Sequence, residues 1–216
     1  MFLQKFKNGS LVNMKNKIIL DTPTQNLVKK YIEKYNSNED YLLVDRTITK
    51  LISHFRENKI IEDILIKTSV INNLYRTNIY SVNFVAEHIH SIADIDSLLK
   101  EGDKFAVDKI AKTIINDKTR NFYSFATKYC HFHEPEKYPI FDSFVELVLV
   151  TYRDQYKFYN FKNKDLREYG KFCAILTKFI ESFNLENFKL KEIDKFLWMY
   201  GKESFSNQDS LSVSSQ

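Results

Sequence analysis

The sequence predicts an all-α protein, and both its composition and its apolar pattern support that fold class. Only four glycines and three prolines occur in 216 residues, too few for a sheet protein with many tight turns. Apolar residues instead recur at helical spacing along most of the chain. The apolar fraction of 44%, with 18 phenylalanines and 13 tyrosines, predicts a large core that is rich in aromatic rings.

Helix signals predict the order of the elements. A capping box at residues 22–25, with Pro23 at the first helical position, opens the first helix, and Asn38 precedes the second. A long third helix is expected over residues 71–92, and shorter helices over 104–115 and 119–132. Pro135 and Pro139 interrupt the helical pattern. Three further helices are predicted over residues 142–152, 165–183 and 190–200, the last ending at Gly201.

One helical domain is predicted over residues 1–203, followed by a disordered, Ser-rich tail over residues 204–216. No apolar run approaches the roughly 18 residues that a membrane-spanning helix needs. The N-terminal residues lack the apolar segment of a secretory signal. Two cysteines, Cys130 and Cys173, make no disulfide framework in a chain of this length. These features predict a cytoplasmic protein with no membrane partner.

The net charge of +4 is modest, but its distribution is uneven. Between Arg153 and Lys178 seven basic residues face three acidic ones. A local excess of this kind is typical of a surface that meets phosphate groups. A solvated helix face would have the same composition, and both interpretations remain open at this point.

The most distinctive stretch covers residues 121–145. It reads as a helix, an extended turn bounded by prolines, and the pair Asp142-Ser143 at the start of the next helix. A carboxylate at a helix N-terminus is stabilised as an anion by free backbone N–H groups and the helix dipole. Asp142 is therefore either a helix cap alone or a functional carboxylate held in its ionised form.

Residues 135–143, with the sequence P-E-K-Y-P-I-F-D-S between two helices, resemble a segment of helix-hairpin-helix DNA glycosylases. In that family a turn at this point presents the catalytic aspartate. The upstream residues 69–78 resemble the Asn-rich start of an early helix in the oxoguanine-glycosylase branch. The resemblance covers roughly residues 60–200. It implies two packed helical lobes, no cofactor, and a duplex DNA partner from which one nucleotide is flipped.

The resemblance also implies roles for two catalytic residues. Asp142 would stabilise an oxocarbenium-like sugar or activate a water molecule. Lys128 is the candidate for a lysine near the sugar. The nucleophilic lysine of the family corresponds to Phe122, however, so Lys128 lies six residues further along the helix. Base excision through Asp142 is thus expected, rather than strand cleavage through a lysine adduct.

Further residues are implied as contacts to DNA. The family holds a phosphate with a Gly-x-Gly turn, whereas residues 118–121 contain no glycine, so side-chain charge would replace backbone amides there. The candidate DNA-binding residues are Lys118, Arg120, Asn72, Asn73 and Arg167. The flipped base would stack on Phe122, Tyr123 or Tyr138. The alternative function is a non-enzymatic helical module that binds DNA or a protein partner with the same fold.

A run of potential metal ligands, Cys130-His131-Phe132-His133-Glu134, suggests zinc at first sight. Residues two apart on a helix point to different faces, so His131 and His133 would not meet at one ion. The sequence therefore predicts no metal site and histidines that face solvent or cap the helix.

Overall fold

A computed structural model describes residues 18–206, which form ten α-helices, one 3₁₀ helix and one two-stranded hairpin. The helices are α1 Gln25–Asn36, α2 Glu39–His54, α3 Ile61–Tyr75, α4 Val82–Ser91, α5 Ile95–Glu101, α6 Phe105–Ala111, α7 Tyr123–His133, α8 Ser143–Tyr156, α9 Tyr169–Ser182 and α10 Leu190–Ser206. The strands are β1 Lys112–Ile115 and β2 Lys118–Asn121, and the 3₁₀ helix is Asn163–Arg167. The prediction of a helical protein is confirmed, and the hairpin is an addition to it.

The helices pack around one continuous core. Helix α10 packs against α1 and α8, and α9 packs on the 3₁₀ helix. Helix α1 also contacts α2, and α7 contacts α2, α3, α5 and α6. Aromatic side chains predominate among the largest fully buried residues, as the composition predicts, including Tyr129, Tyr152, Phe172, Phe179 and Phe196.

The first two helices begin at polar caps. Helix α2 follows Asn38 as predicted, and the Asn38 side chain caps it by accepting a hydrogen bond from the backbone N–H of Tyr41 at 3.1 Å. Helix α1 begins two residues later than predicted. Thr24 is its N-cap and accepts from the N–H of Leu27 at 3.2 Å, so Pro23 lies before the helix instead of inside it.

The prediction of one long helix over residues 71–92 is wrong, because α3 ends at Tyr75 and α4 begins only at Val82. Arg76 and Asn78 adopt left-handed backbone conformations, with φ of 49° and 59°, which no helix tolerates. The side chain of Asn72 holds the loop by accepting from Thr77 Oγ1 and Ile79 N and donating to Ile79 O. Residues 69–78 therefore end a helix, whereas the resemblance implied that they begin one.

The prediction of helices over residues 104–115 and 119–132 is wrong for residues 112–121, because this part of the chain forms a β-hairpin. Strands β1 and β2 pair antiparallel, with Thr113 opposite Arg120. Asn116 and Asp117 form the turn with φ of 49° and 59°, the left-handed conformations of a type I′ hairpin turn. The physical reason is local: an Asn-Asp pair that tolerates these angles follows a run of β-branched residues in β1.

Helix α10 passes straight through Gly201, which was expected to end it, and continues to Ser206. The predicted tail over residues 204–216 thus begins too early, since residues 204–206 are helical. Residues 207–216 and the N-terminal residues considered for a signal lie outside the described part of the chain. Within residues 18–206, no helix has the length and apolar character needed to cross a membrane.

Candidate functional site

Asp142 is the N-cap of α8, as its position before an apolar helix predicts. Its Oδ1 accepts hydrogen bonds from the backbone N–H groups of Phe144 and Val145, both at 3.0 Å. The residue is half-buried. Its Oδ2 has no hydrogen-bond partner among residues 18–206, so one oxygen alone orients the carboxylate.

Lys128 lies inside the protein, only 3% exposed. Its Nζ donates to Ser124 Oγ at 2.7 Å and lies 3.4 Å from the carbonyl oxygen of Phe141. Burial lowers the pKa of the Lys128 ammonium, an effect that the carboxylates of Asp142 and Asp194 partly offset. The lysine is thus bound to the residue that precedes Asp142 and makes no direct ion pair with the aspartate.

Asp194, on α10, is the third charged residue of the site and the one that sequence reasoning missed. Its Oδ2 accepts from the backbone N–H of Ile140 at 3.1 Å, whereas its buried Oδ1 has no hydrogen-bond partner. Burial raises the pKa of the Asp194 carboxyl well above its usual range, and the nearby Asp142 adds to the effect. The sequence does contain a signal for a buried aspartate here. Asp194 lies on the apolar stripe of the predicted helix, next to Ile193 and one turn before Leu197.

The histidines of α7 are both buried, so the prediction of solvent-facing or capping histidines is wrong. His131 Nδ1 lies 2.8 Å from the carbonyl oxygen of Tyr138 and 3.4 Å from Asp194 Oδ2. Burial lowers the pKa of His131 to about 4 and the pKa of His133 to about 3. Both rings are neutral at neutral pH. No group of three or more His, Cys, Asp or Glu residues within 18–206 is arranged to hold a metal ion.

Replacing His133 by phenylalanine should make the protein more tolerant of acid. An unfolded chain takes up a proton on this histidine near pH 6.5, but the folded protein does so only near pH 3. Stability is therefore lost as pH falls through that window, by about 1.4 kcal/mol per pH unit. Phenylalanine removes this loss and also the unpartnered Nε2. Thermal melting between pH 7 and pH 4 should show a shallower decline than in the wild type.

The exposed His54 at the end of α2 offers a control. His54→Phe should leave the pH dependence of melting unchanged. An equally steep decline for His133→Phe and the wild type would show that His133 does not contribute to acid sensitivity.

Asp45 on α2 links the site to α1 and α3. Its Oδ1 accepts from the hydroxyls of Tyr35 at 3.1 Å and Tyr75 at 3.3 Å. The Tyr75 ring in turn lies 5.6 Å from Lys128 Nζ. Burial, together with the neighbouring Asp45 carboxylate, raises the pKa of Tyr75 well above its usual range. A continuous polar cluster thus runs from α2 through α3 and α7 to the start of α8.

Two of the three rings expected to stack on a base are part of the core. The hydroxyl of Tyr123 donates to the carbonyl oxygen of Leu166 at 3.1 Å. Tyr138 is fully buried, and its hydroxyl lies 2.8 Å from Leu98 O and 3.0 Å from Asp103 O. These rings have no free face, so the stacking role is not supported for them. Phe122 is half-buried and packs against the core.

An exposed aromatic residue that the sequence pattern did not single out lies elsewhere. Tyr80 is 93% exposed, in the loop between α3 and α4 that Asn72 holds in place. The three hydrogen bonds of Asn72 to this loop use the side chain that was expected to contact DNA. Asn73, its neighbour, is exposed.

The remaining candidate DNA contacts lie on two surfaces. Lys118 and Arg120 are exposed on β2. Arg167 pairs with Glu146 and lies with its guanidinium 5.0 Å from the centre of the Phe141 ring. It is therefore close to the start of α8.

Most of the basic stretch between Arg153 and Lys178 forms local ion pairs. Arg153 contacts Asp154 at 2.8 Å, and Lys178 contacts Glu181 at 2.7 Å. Lys171 contacts two carboxylates, those of Asp165 and Glu168. For these residues the solvated helix face is the better interpretation.

Comparison with known proteins places the chain in a family. The model of that family, HI_0787_N, described as an N-terminal domain, matches residues 27–137, just over half of the chain. The chain belongs to this family. An uncharacterized protein of Haemophilus influenzae (strain ATCC 51907 / DSM 11121 / KW20 / Rd) is 42% identical over 164 residues, which cover 76% of this chain and 78% of that protein. No solved structure matches the chain.

The family match divides the candidate site. Residues 27–137 include Asp45, Tyr75 and Lys128 and end five residues before Asp142. The boundary falls in the Pro-bounded segment between α7 and α8. The half of the site that lies on α8 and α10 is therefore outside the matched region.

Proposed function

We propose that this protein binds duplex DNA, rotates one nucleotide out of the helix and excises its base, with Asp142 as the catalytic residue. The observation that carries the proposal is the free Oδ2 of a half-buried carboxylate whose Oδ1 is fixed by two backbone N–H groups. A carboxylate oriented in this way can stabilise a developing cation through its second oxygen. The proposal includes the two-lobed, glycosylase-like fold that the resemblance implies.

The reaction breaks the bond between the base nitrogen and C1′ of the sugar. The electron pair of that bond leaves with the base, and the oxocarbenium-like sugar that develops is stabilised by the negative Oδ2 of Asp142. Water then adds to C1′ and loses a proton to the carboxylate or to solvent, while the departing base takes up one proton from solvent. An abasic sugar and a free base are the products.

Lys128 acts in this proposal as a positioning residue. Its ammonium and the hydroxyl of Thr127 both lie near the carbonyl oxygen of Phe141, at 3.4 Å each. Thr127 Oγ1 also accepts from the backbone N–H of Phe141 at 3.2 Å. These contacts hold the turn that presents Asp142, and Asp194 holds the adjacent backbone N–H of Ile140.

The experiment that tests the function is mass spectrometry of bases released from duplexes. The wild-type protein is incubated with a panel of duplexes, each of which carries one modified, deaminated or mismatched nucleotide. We expect release of a free base from at least one duplex, together with an abasic site that alkali cleaves. Intact duplexes across the whole panel would overturn base excision.

No covalent adduct with Lys128 is expected when borohydride is added during the reaction. A helix turns about 100° and rises about 1.5 Å per residue, so six residues displace Lys128 by about 9 Å from the position of the family's nucleophile. The structure also places its ammonium inside the core, 3% exposed. Gel analysis of borohydride-treated reactions should show no protein–DNA band. A band that Lys128→Gln eliminates would make this lysine a nucleophile after all.

A second candidate function is a DNA-binding module without catalysis. It is favoured by the two capping bonds of Asp142, which account for the residue as a structural cap. Duplex binding with no base release from any substrate would support this alternative. Release that depends on Asp142 would exclude it.

A further inference from the structure

We propose that a groove between α2 and α10 binds the phosphate groups of a nucleic-acid strand. The inference rests on the DNA-binding function proposed above and assigns the backbone contacts to a surface that the resemblance did not indicate. The groove is shallow and open to solvent, with a volume of about 470 Å³. It is lined by Leu42, Asp45, Arg46, Thr49, Lys50 and Ser53 of α2 and by Lys191 and Lys195 of α10.

The lining residues follow from helix geometry. On α2 they recur at intervals of three and four positions, so they occupy a single face of that helix. Lys191 and Lys195 are four positions apart, so they lie about one helical turn from each other on the opposite wall. Each wall therefore presents two cations along the groove: Arg46 and Lys50 on α2, Lys191 and Lys195 on α10.

The lining of the groove is mainly cationic. Its four cations are accompanied by one carboxylate, that of Asp45, which leaves a local excess of three positive charges. Asp45 is buried below the surface and engaged by the hydroxyls of Tyr35 and Tyr75. A phosphate entering from solvent would meet the cations first.

These cations have few carboxylate partners within the protein. Lys50 makes no ion pair with any residue between 18 and 206, and Lys191 Nζ lies 3.9 Å from Asp45 Oδ2. Lys195 donates to Asn36 Oδ1 at 2.7 Å and lies with its Nζ 4.7 Å from the centre of the Tyr35 ring, and burial lowers its pKa. A bound anion would compensate charges that water and the protein neutralise only in part.

The pair between Arg46 and Glu39 does not close the groove. Its atoms are 3.2 Å apart, and the two side chains are 61% and 79% exposed. Exposed pairs of this kind contribute at most about 1 kcal/mol. Arg46 can therefore exchange Glu39 for a phosphate at little cost.

A nucleic-acid strand fits the groove better than a small anion does. Two rows of cations one helical turn apart, about 6 Å along each axis, match a ligand that repeats its charge. The hydroxyls of Thr49 and Ser53 lie along the same face. At the base of the groove Asp45 accepts from Tyr75, whose ring lies near Lys128, the residue bound to the turn that presents Asp142. The groove is thus linked to the candidate site by interior side-chain contacts.

The test is fluorescence anisotropy of a labelled duplex with a single mismatch, measured over a range of salt concentrations. The variant Lys50→Gln/Lys191→Gln removes one cation from each wall. We expect it to bind about tenfold more weakly and to lower the salt slope by about 1.8, which is roughly 0.9 for each lost phosphate contact. The single variant Lys50→Gln should show half the change in slope.

Two matched pairs serve as controls. Lys29→Gln/Lys100→Gln removes the same charge from exposed positions outside the groove and should leave the slope nearly unchanged. Lys118→Gln/Arg120→Gln measures the contribution of the hairpin. Inorganic tripolyphosphate should bind far more weakly than DNA, and equal affinity would overturn the assignment to a strand. Thermal melting confirms that each variant folds.

The outcomes separate the groove from the proposed function. A groove variant that binds DNA with wild-type affinity and slope overturns the groove and leaves the proposed function standing. A wild-type protein that does not bind DNA at low salt overturns both. If the groove variant binds DNA more weakly and the wild-type protein releases no base, the groove is supported. Base excision is then contradicted, and DNA binding is not.

Discussion

Asp142→Asn is expected to abolish base release while duplex binding and folding are retained. Asparagine still accepts hydrogen bonds from the backbone N–H groups of Phe144 and Val145, so α8 keeps its cap. It carries no negative charge, however, and cannot stabilise a sugar cation. Because positioned acid–base groups contribute about 10²–10⁴-fold to rates, release should fall by at least about 100-fold. Mass spectrometry of the released base and anisotropy with the same duplex measure the two properties separately.

Asp142→Ala is the companion variant that isolates the cap. Alanine removes the charge and the capping bonds together, so it should lower the free energy of unfolding by about 0.5–2 kcal/mol, whereas asparagine should not. Full release by Asp142→Asn would remove Asp142 from catalysis. Unfolding of Asp142→Asn would show that the charge itself is structural.

Gly201→Ala is expected to destabilise the protein strongly, although it adds only one carbon atom. A Cβ at this position would lie 2.9 Å from Phe144 Cβ, 2.9 Å from the Phe144 carbonyl oxygen and 2.9 Å from Val148 Cγ2. Because one of these atoms belongs to the backbone of α8, the contact is relieved only if the two helices separate. Overpacking of this kind costs about 1–3 kcal/mol, which thermal melting should report as a lowering of about 2–4 °C for each kcal/mol.

Gly170→Ala provides the control within the same chain. Gly170 lies in the first turn of α9, and the nearest atom to its Cβ would be Lys104 Cδ at 4.0 Å. Alanine should be neutral there or stabilising by up to about 1 kcal/mol, since it lowers the entropy of the unfolded chain. Equal melting temperatures for Gly201→Ala and the wild type would show that α8 and α10 can move apart freely.

Several local features could be predicted from the sequence because they depend on neighbouring residues alone. The positions of Asn38 and Asp142 before apolar helices predict where those helices begin, because a short polar side chain there satisfies free N–H groups whatever packs against the helix. The helix predicted over residues 165–183 is likewise found, as α9 with the 3₁₀ helix before it. The hairpin also has a local cause, but its Asn116-Asp117 turn was obscured by an apolar spacing that also fits a helix.

The candidate site depended on contacts between distant parts of the chain. Lys128 and Asp194 are separated by 66 residues, and each is buried only because α7, α8 and α10 converge on the same turn. The groove likewise exists only because α2 and α10, which are far apart in sequence, both line it. The sequence by itself determined the helical class and the capping position of Asp142, which short-range hydrogen bonds and periodicity encode. The tertiary structure alone decided which charges are buried, since burial depends on the element that packs opposite.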